Sequence, residues 1–355
     1  VQLAVQSRDQ RSVQVIRADT RSGATRVVGN DTDEHWVELV RGVPVGLGDG
    51  RLVTCADRGG ARRILVDGDP VTPADVQVRA VVHVSSDEIV YLANPIDDPT
   101  VQHVHRWSAA AGSVALTTEP GIHTAAVGGE TVVVRSATLA SPVAVTRLLG
   151  GAEITSHAER PLVAPNVHLL RLGDRGLAAA LLLPAGRSPR DGGAALPVLM
   201  DPYGGPHAQR VVQSHTAMCA SQWFADQGFA VLVIDGAGTP GRGSAWEREV
   251  FRDLAGPVLD DQVAGLSAAA QQVGVLDTSR VSVRGWSFGG YLAALAVLRR
   301  PDVFHAAVAG APVTEWGLYD THYTERYLGD PRVEPANYER SDLTPLAERL
   351  ERPLL

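Results

Sequence analysis

Ser287 stands in the middle of the motif Gly-Trp-Ser-Phe-Gly, with one glycine two positions before it and another two positions after it. The alternating residues 281–283 predict a short buried strand, and residues 291–300 predict a helix that ends before Pro301. A serine on a sharp strand-to-helix turn is a nucleophile elbow, in which small neighbours allow a strained backbone to lift the hydroxyl clear of the sheet. The motif predicts a nucleophilic serine; the alternative is an ordinary glycine-rich turn of an α/β domain.

Attack by a serine on a carbonyl group also requires donors that stabilise the resulting oxyanion. In the α/β-hydrolase arrangement the backbone N–H directly after the nucleophile is one donor, and Phe288 supplies it. The second donor is expected from a loop after an earlier strand, and residues 196–207 match such a strand and loop. Tyr203 in that loop can direct its phenol at the same oxygen; the alternative is a tyrosine that only packs against a Gly-Pro turn.

A serine triad further needs an acid and then a histidine, which follow the serine in this chain order. The acid is expected after the second strand beyond the elbow. The first such strand is predicted at 305–310, and the second begins at 352–355. The residues that come too early for these roles are Asp320, Asp330, Asp342, His305 and His322. We therefore expect the triad acid and histidine beyond Leu355, and we expect the 355 residues alone to be inactive.

The two halves of the chain differ in pattern. Residues 1–160 consist of short β segments separated by Gly, Asp, Asn and Pro, with segments that recur at roughly 35 to 50 residues, the size of a propeller blade. This predicts a partial β-propeller of about three to four blades, with further blades before Val1. Residues 161–355 alternate strands with helices, which predicts an incomplete α/β-hydrolase domain with a doubly wound sheet. Ser287 then falls at the carboxyl end of an internal strand, where ligands bind in such sheets.

The composition argues against several other classes of function. Hydrophobic residues make up 45% of the 355 residues, and the formal net charge is −8. All 32 basic residues are arginines and form no basic block, which argues against nucleic acid as the main partner. No apolar run reaches the ~20 residues of a membrane span. Cys55 and Cys219 fall in different predicted domains and are interpreted as buried thiols rather than a disulfide or a metal pair. The chemistry expected of Ser287 requires no metal and no cofactor.

Several stretches match a known family. They are DPYGGPHAQRV (201–211), GWSFGGYLAA (285–294), GAPVTEWGLYDTHYTERYLG (310–329) and, less specifically, LDDQ (259–262). With them, the α/β half resembles the catalytic domain of the prolyl oligopeptidase family of serine peptidases, in particular its dipeptidyl peptidase IV branch. The stretch SRDQRSVQVIRAD (7–19) also resembles a late propeller blade of that branch. The resemblance covers nearly the whole chain.

The resemblance implies Ser287 as the nucleophile, with the Phe288 N–H and the Tyr203 hydroxyl as the oxyanion hole. It further implies a flat apolar pocket for proline at the residue before the scissile bond, lined by Val313, Trp316, Tyr319 and Tyr323. The spacings of 3, 3 and 4 between these residues predict that their side chains share one helical face. The same spacing also fits an ordinary core stripe.

Two departures from the family pattern limit the comparison. Members of this branch hold the amino terminus of the substrate with a pair of propeller glutamates, and no adjacent Glu-Glu occurs here. Asp33 and Glu34 are the nearest equivalent, but they fall in a polar turn and are interpreted as solvated, so the pair is expected before Val1. Ala237 stands where an arginine is more usual, which predicts a loop with fewer polar contacts.

The sequence therefore predicts a serine peptidase that releases X-Pro or X-Ala dipeptides from peptides with a free amino terminus. The alternatives are a carboxylesterase on the same fold, an acylaminoacyl-type or endo-acting oligopeptidase, and an inactive interaction protein that carries a propeller. The compartment is left open, with the cytoplasm favoured, and so is the formation of a homodimer.

Overall fold

The computed structural model describes residues 1–355, which divide into two compact units. The first unit comprises residues 1–158 together with 241–245, and the second comprises residues 159–240 and 246–355. Nowhere in the chain is a helix both long and apolar enough to cross a membrane.

The first unit is built from short strands joined by tight turns. Its strands are β1 (Gln2–Gln6), β2 (Ser12–Ala18), β3 (Thr25–Thr32), β4 (Val45–Gly46), β5 (Leu52–Arg58), β6 (Ala61–Val66), β7 (Asp69–Pro70), β8 (Val76–Val84), β9 (Glu88–Pro95), β10 (His103–Ser108), β11 (Gly112–Ala115), β12 (Ile122–Gly128), β13 (Thr131–Ala137), β14 (Val145–Leu148) and β15 (Glu153–Ile154). Strands that follow one another in the chain pair antiparallel and form four sheets, β1–β3, β4–β7, β8–β11 and β12–β15. Three of these sheets are four-stranded meanders, the architecture of a propeller blade.

Alternation of buried and more exposed residues builds the core of this unit. In β13, for example, Val132 and Val134 are buried and the residues on either side of them are not. Gly59 and Gly60 join β5 to β6, and both have a positive φ, as a two-residue hairpin turn requires. The sheets β4–β7 and β8–β11 share a cluster of buried side chains that includes Val53, Ile64, Val78, Ile89 and Tyr91.

The second unit contains one mixed sheet and its helices. Its elements are β16 (Val167–Leu172), β17 (Leu177–Leu182), β18 (Leu196–Met200), α1 (His215–Ala225), β19 (Ala230–Asp235), α2 (Ser244–Glu247, of which residues 244–245 fall in the first unit), α3 (Gly256–Gln272), β20 (Leu276–Trp286), α4 (Phe288–Arg299), β21 (Ala306–Gly310), α5 (Thr321–Leu328) and α6 (Pro335–Ser341), with 3-10 turns at Arg248–Val250, Trp316–Leu318 and Thr344–Arg349. The strand order is β16-β17-β19-β18-β20-β21, and the pairings from β19 to β21 are parallel. Every residue of β17 and β19 is buried, because both faces of these central strands are covered.

The strand predicted at 352–355 begins beside β21. The N–H of Ala307 donates to the carbonyl of Pro353 at 2.9 Å, and the N–H of Leu355 donates back to the carbonyl of Ala307 at 3.0 Å. The parallel pairing continues the β19–β21 arrangement by one strand.

Both cysteines are free thiols that are partly buried. Cys55 lies in β5, where burial raises the pKa of its thiol to about 12. Cys219 lies in α1, and burial also raises the pKa of this thiol. Both thiols are therefore protonated at neutral pH.

Candidate active site

Ser287 is the single residue between a strand and a helix, because β20 ends at Trp286 and α4 begins at Phe288. Its backbone has φ 55° and ψ −118°, a conformation that a residue with a side chain adopts only when its surroundings impose it. The Ser287 N–H donates to the carbonyl of Gly310 in β21 at 2.9 Å, and the N–H of Tyr291 donates to the carbonyl of Ser287 at 2.9 Å. The neighbouring strand and the first helical turn thus hold the strained residue on both sides.

The two glycines of the motif allow this sharp turn. A Cβ atom at Gly285 would lie 2.1 Å from the carbonyl oxygen of Gly289, and a Cβ atom at Gly289 would lie 2.6 Å from the carbonyl oxygen of Pro202. Both contacts are with backbone atoms, which cannot turn away as a flexible side chain does. The second contact also shows that the loop after β18 packs directly against the elbow.

The loop after β18 brings Tyr203 to the serine. The Tyr203 phenol lies close enough to the Ser287 side chain for Ser287 to influence its pKa. Burial raises the pKa of the Tyr203 phenol, the nearby Tyr319 phenol raises this pKa further, and Ser287 offsets only part of the rise. The ring of Tyr203 lies 5.8 Å from the ring of Phe288. Tyr203 therefore keeps its proton at neutral pH and can donate it in a hydrogen bond.

The backbone at the start of α4 offers a second donor beside Tyr203. Phe288 is the first residue of this helix, and the first N–H groups of a helix have no acceptor four residues earlier. The Phe288 side chain is 1% exposed, so it packs inward and leaves the N–H at the turn. An N–H and a phenol that converge beside a serine hydroxyl can stabilise an oxyanion formed at that hydroxyl.

Aromatic side chains from residues 316–323 pack beside the elbow. Trp316 is 2% exposed, stacks on Tyr323 with a centroid distance of 5.8 Å, and lies 5.7 Å from Phe288. Tyr319 lies edge-on to Tyr323 at 5.4 Å and is 44% exposed. Burial, followed by the neighbouring Tyr327, Tyr203 and Tyr319 phenols, raises the pKa of Tyr323 well above its usual value. The buried Tyr323 hydroxyl has no hydrogen-bond partner.

The prediction that the four pocket residues share one helical face is wrong. Val313 precedes all helical structure in this segment and is partly buried, Trp316 begins a 3-10 turn, and Tyr319 is extended. A new helix, α5, begins only at Thr321, because the side chain of Asp320 caps it by accepting from the N–H of Tyr323 at 2.8 Å. The contacts among Trp316, Tyr319 and Tyr323 come from the turn between two elements.

Two of the histidines close in sequence to predicted site residues have other partners. His207 Nε2 shares a hydrogen bond of 2.7 Å with the Tyr327 hydroxyl. His305 Nδ1 accepts from the backbone N–H of Val281 at 3.1 Å. Asp342, one of the aspartates that come too early to be the triad acid, accepts from both the N–H and the hydroxyl of Thr344 at 2.8 Å. The placement of the triad acid and histidine beyond Leu355 stays a prediction.

Asp33 and Glu34 of the first unit follow β3 at a bend of the chain, and only Glu34 is solvated as predicted, because the Asp33 side chain is 21% exposed. The Asp33 carboxylate accepts from the N–H of His35 at 2.8 Å, and the Glu34 side chain is 87% exposed. Ala237, in contrast, is fully buried, and its N–H donates to the carboxylate of Asp261 at 2.8 Å. Asp261 belongs to the LDDQ stretch, so that stretch holds the loop that follows β19.

Sequence reasoning missed a set of residues that hold the Tyr203 loop. Asp201 and Asp235 stand at the carboxyl ends of adjacent strands, β18 and β19, and both are buried. Each accepts hydrogen bonds from Arg210, where the loop returns to the sheet. The available signal was an aspartate at the carboxyl end of each of two apolar strands.

The fold of this chain is a partial β-propeller followed by an incomplete α/β-hydrolase domain. The elbow at Ser287 belongs to the α/β-hydrolase domain. Residues 215–355 match the sequence model of the prolyl oligopeptidase family. The predicted resemblance to the prolyl oligopeptidase family is thereby confirmed. The predicted fold class is confirmed by superposition with a solved dipeptidyl peptidase 4.

Several proteins that are similar to this chain are named dipeptidyl peptidases. Dipeptidyl peptidase 8 of Mus musculus is 38% identical over 159 residues, which is 44% of this chain and 18% of the relative. Probable dipeptidyl peptidase 4 of Emericella nidulans is 26% identical over 367 residues, which covers 92% of this chain and 47% of the relative. The crystal structure of Porphyromonas gingivalis dipeptidyl peptidase 4 superposes with a TM-score of 0.85 at 22% identity, covering 99% of this chain and 53% of that one. The chain thus spans about half the length, or less, of these proteins.

Proposed function

We propose that this chain is part of a serine peptidase in which Ser287 attacks the peptide carbonyl. The observation that carries the proposal is the strained backbone of Ser287 between β20 and α4, at a turn where the Tyr203 phenol lies nearby and the Phe288 N–H is free of a helical acceptor. The peptidase names of its relatives agree with this chemistry.

The reaction proceeds through an acyl-enzyme. The Ser287 oxygen bonds to the carbonyl carbon while a histidine takes the hydroxyl proton, and the carbonyl oxygen becomes an oxyanion that accepts from Tyr203 and Phe288. The C–N bond then breaks, and the leaving amine receives the proton from the histidine. Water then attacks the ester carbon while the histidine takes its proton, and the Ser287 oxygen leaves as it regains a proton from the histidine. The histidine and its acid are those predicted beyond Leu355.

The substrate is a peptide with a free amino terminus, cleaved after proline or alanine at the second position. Tyr319 is 44% exposed and lies edge-on to Tyr323, which stacks on the buried Trp316, and a rigid pyrrolidine ring suits a slot with aromatic walls. We assign Val313 to the same slot. The acidic pair that would bind the substrate amino group is the one predicted before Val1.

The test uses the gene product that contains these residues, with Ser287→Ala as the inactive control. We expect Gly-Pro-nitroanilide to be cleaved by the unaltered protein and left intact by the variant. Cleavage of amino-blocked peptides but not of Gly-Pro-nitroanilide would reject the dipeptidyl activity in favour of an acylaminoacyl or endo-acting peptidase. Turnover of short acyl nitrophenyl esters without any peptide cleavage would favour a carboxylesterase, and no turnover at all would favour an interaction protein.

A further inference from the structure

One buried carboxylate lies where the Tyr203 loop leaves the sheet. Asp201 directly follows β18 and is 1% exposed. Its Oδ2 accepts from the Ser221 hydroxyl in α1 at 2.6 Å and from Nη2 of Arg210 at 2.7 Å. Because Arg210 stands at the far end of the same loop, the Asp201–Arg210 ion pair closes the loop on itself.

The returning arm of the loop has a second, separate anchor. Asp235, the last residue of β19, accepts from the backbone N–H of Arg210 at 3.0 Å and from that of Val211 at 2.8 Å. These bonds involve only the backbone of Arg210, so they do not depend on its side chain. The side chain of Arg210 therefore has a role of its own, which is to join the returning arm to Asp201.

Asp201 also faces the strand that carries the elbow. Nη1 of Arg284 lies 3.7 Å from Asp201 Oδ1, and the Arg284 guanidinium packs over the ring of Phe224 at 4.2 Å. Arg284 precedes Ser287 by three residues, and Asp201 precedes Tyr203 by two. One carboxylate is thus in contact with both segments that supply the candidate oxyanion hole.

We propose that Asp201, acting through Arg210, is a positioning residue that holds the Tyr203 hydroxyl in place relative to Ser287; this rests on the role of Tyr203 in the proposed function. The loop between Asp201 and Arg210 contains one non-glycine residue at positive φ, His207 at 71°. A residue with a side chain keeps such a strained conformation only when the surrounding structure imposes it. The Asp201–Arg210 ion pair supplies that restraint.

The test replaces the side chain of Arg210 and leaves its backbone bonds to Asp235 intact. Arg210→Met keeps an unbranched side chain without a donor. We expect kcat for Gly-Pro-nitroanilide to fall about tenfold with KM little changed, because contacts to the oxyanion strengthen in the transition state. Arg210→Lys retains one donor and should recover part of the loss. Independently of turnover, we expect faster hydrogen–deuterium exchange of the amides of residues 202–209 in Arg210→Met.

Arg280→Met is the matched control, since Arg280 pairs with Asp277 at 2.7 Å near the amino end of β20. It should change neither kcat nor exchange in residues 202–209. Unchanged kcat and unchanged exchange in Arg210→Met would overturn the positioning role, as would lost activity that merely follows a lowered melting temperature without faster exchange in the loop. If the unaltered protein cleaves no substrate, the proposed function fails and the exchange measurement alone decides whether Arg210 holds the loop.

Discussion

Tyr203 and Ser287 lie beside each other beyond the ends of β18 and β20, two strands of one sheet that pair in parallel. Each residue follows the carboxyl end of its strand, so the parallel arrangement brings both to the same edge of the sheet. The pair places an uncharged donor beside the strained serine before any substrate arrives. Such a preorganised donor need not be reoriented during the reaction.

Tyr203→Phe tests this donor directly. The variant keeps the ring that packs on Phe288 but removes the hydroxyl, so the fold should be retained. We expect kcat for Gly-Pro-nitroanilide to fall on the order of 100-fold, the typical loss for one oxyanion donor. Steady-state kinetics with a parallel melting curve measures this. A kcat within twofold of the unaltered protein would exclude Tyr203 as a donor.

Gly285→Ala tests whether the elbow tolerates a side chain. The added Cβ would lie 2.1 Å from the Gly289 carbonyl oxygen, so the turn must open, at a cost of about 2 kcal/mol or more of folding free energy. Gly274→Ala is the matched control, because a Cβ there meets nothing within 4 Å. Denaturant unfolding of the two variants gives the comparison. Equal stability of both would contradict the strained geometry of the turn.

Two tyrosine-to-phenylalanine changes should have opposite effects on stability. The buried Tyr323 hydroxyl has no partner, so Tyr323→Phe removes an uncompensated polar group and should leave stability unchanged or raised. The Tyr291 hydroxyl donates to the carbonyl of Ser341 at 2.9 Å, so Tyr291→Phe should cost about 1 kcal/mol. Urea unfolding midpoints measure both. A loss in Tyr323→Phe as large as that in Tyr291→Phe would show that the Tyr323 hydroxyl is satisfied.

The first unit should lose stability in acid through its histidines. Burial lowers the pKa of His105 from 6.5 to about 4, and burial together with His123 lowers the pKa of His103. The unfolded chain binds these protons at a higher pH than the folded chain does. The contribution of the two neutral histidines to the free energy of unfolding is therefore fully present above pH 6.5 and is lost as the pH falls towards about 4. The unfolding midpoint should decline over this range.

A variant separates this effect from general acid denaturation. His105 stacks on Tyr91 with a centroid distance of 5.1 Å, and phenylalanine can keep that contact without binding a proton. His105→Phe should therefore flatten the decline of the unfolding midpoint between pH 6.5 and about 4. The exposed His157 serves as the control position, where His157→Gln should leave the slope unchanged. Identical slopes in His105→Phe and the unaltered protein would refute the assignment.

The sequence predicts correctly those features that depend only on neighbouring residues. The helical stripe from Val313 to Tyr323 failed as a prediction because spacing alone does not reveal a cap, and Asp320 starts a new helix in the middle of the stripe. The interpretation of Glu34 as solvated needed only its immediate neighbours and agrees with its 87% exposed side chain, whereas the Asp33 side chain is 21% exposed. The role of Asp261 was missed, because its partner, the Ala237 N–H, is distant in sequence.

The sequence by itself determined the elbow, the strand that enters it, the helix that leaves it and the alternating order of the α/β half, since glycine spacing and hydrophobic period act within a few residues. Only the tertiary structure decided that Tyr203 reaches Ser287, that Trp316 stacks on Tyr323, and that Asp201 is held by Arg210, Ser221 and Arg284. The contacts of Tyr203 with Ser287 and of Asp201 with Arg284 join segments far apart in the chain, and they depend on which strands become neighbours in the sheet and on how tightly the glycines let them approach. Trp316 and Tyr323 are close in sequence, but their stacking depends on the turn that the Asp320 cap makes between them.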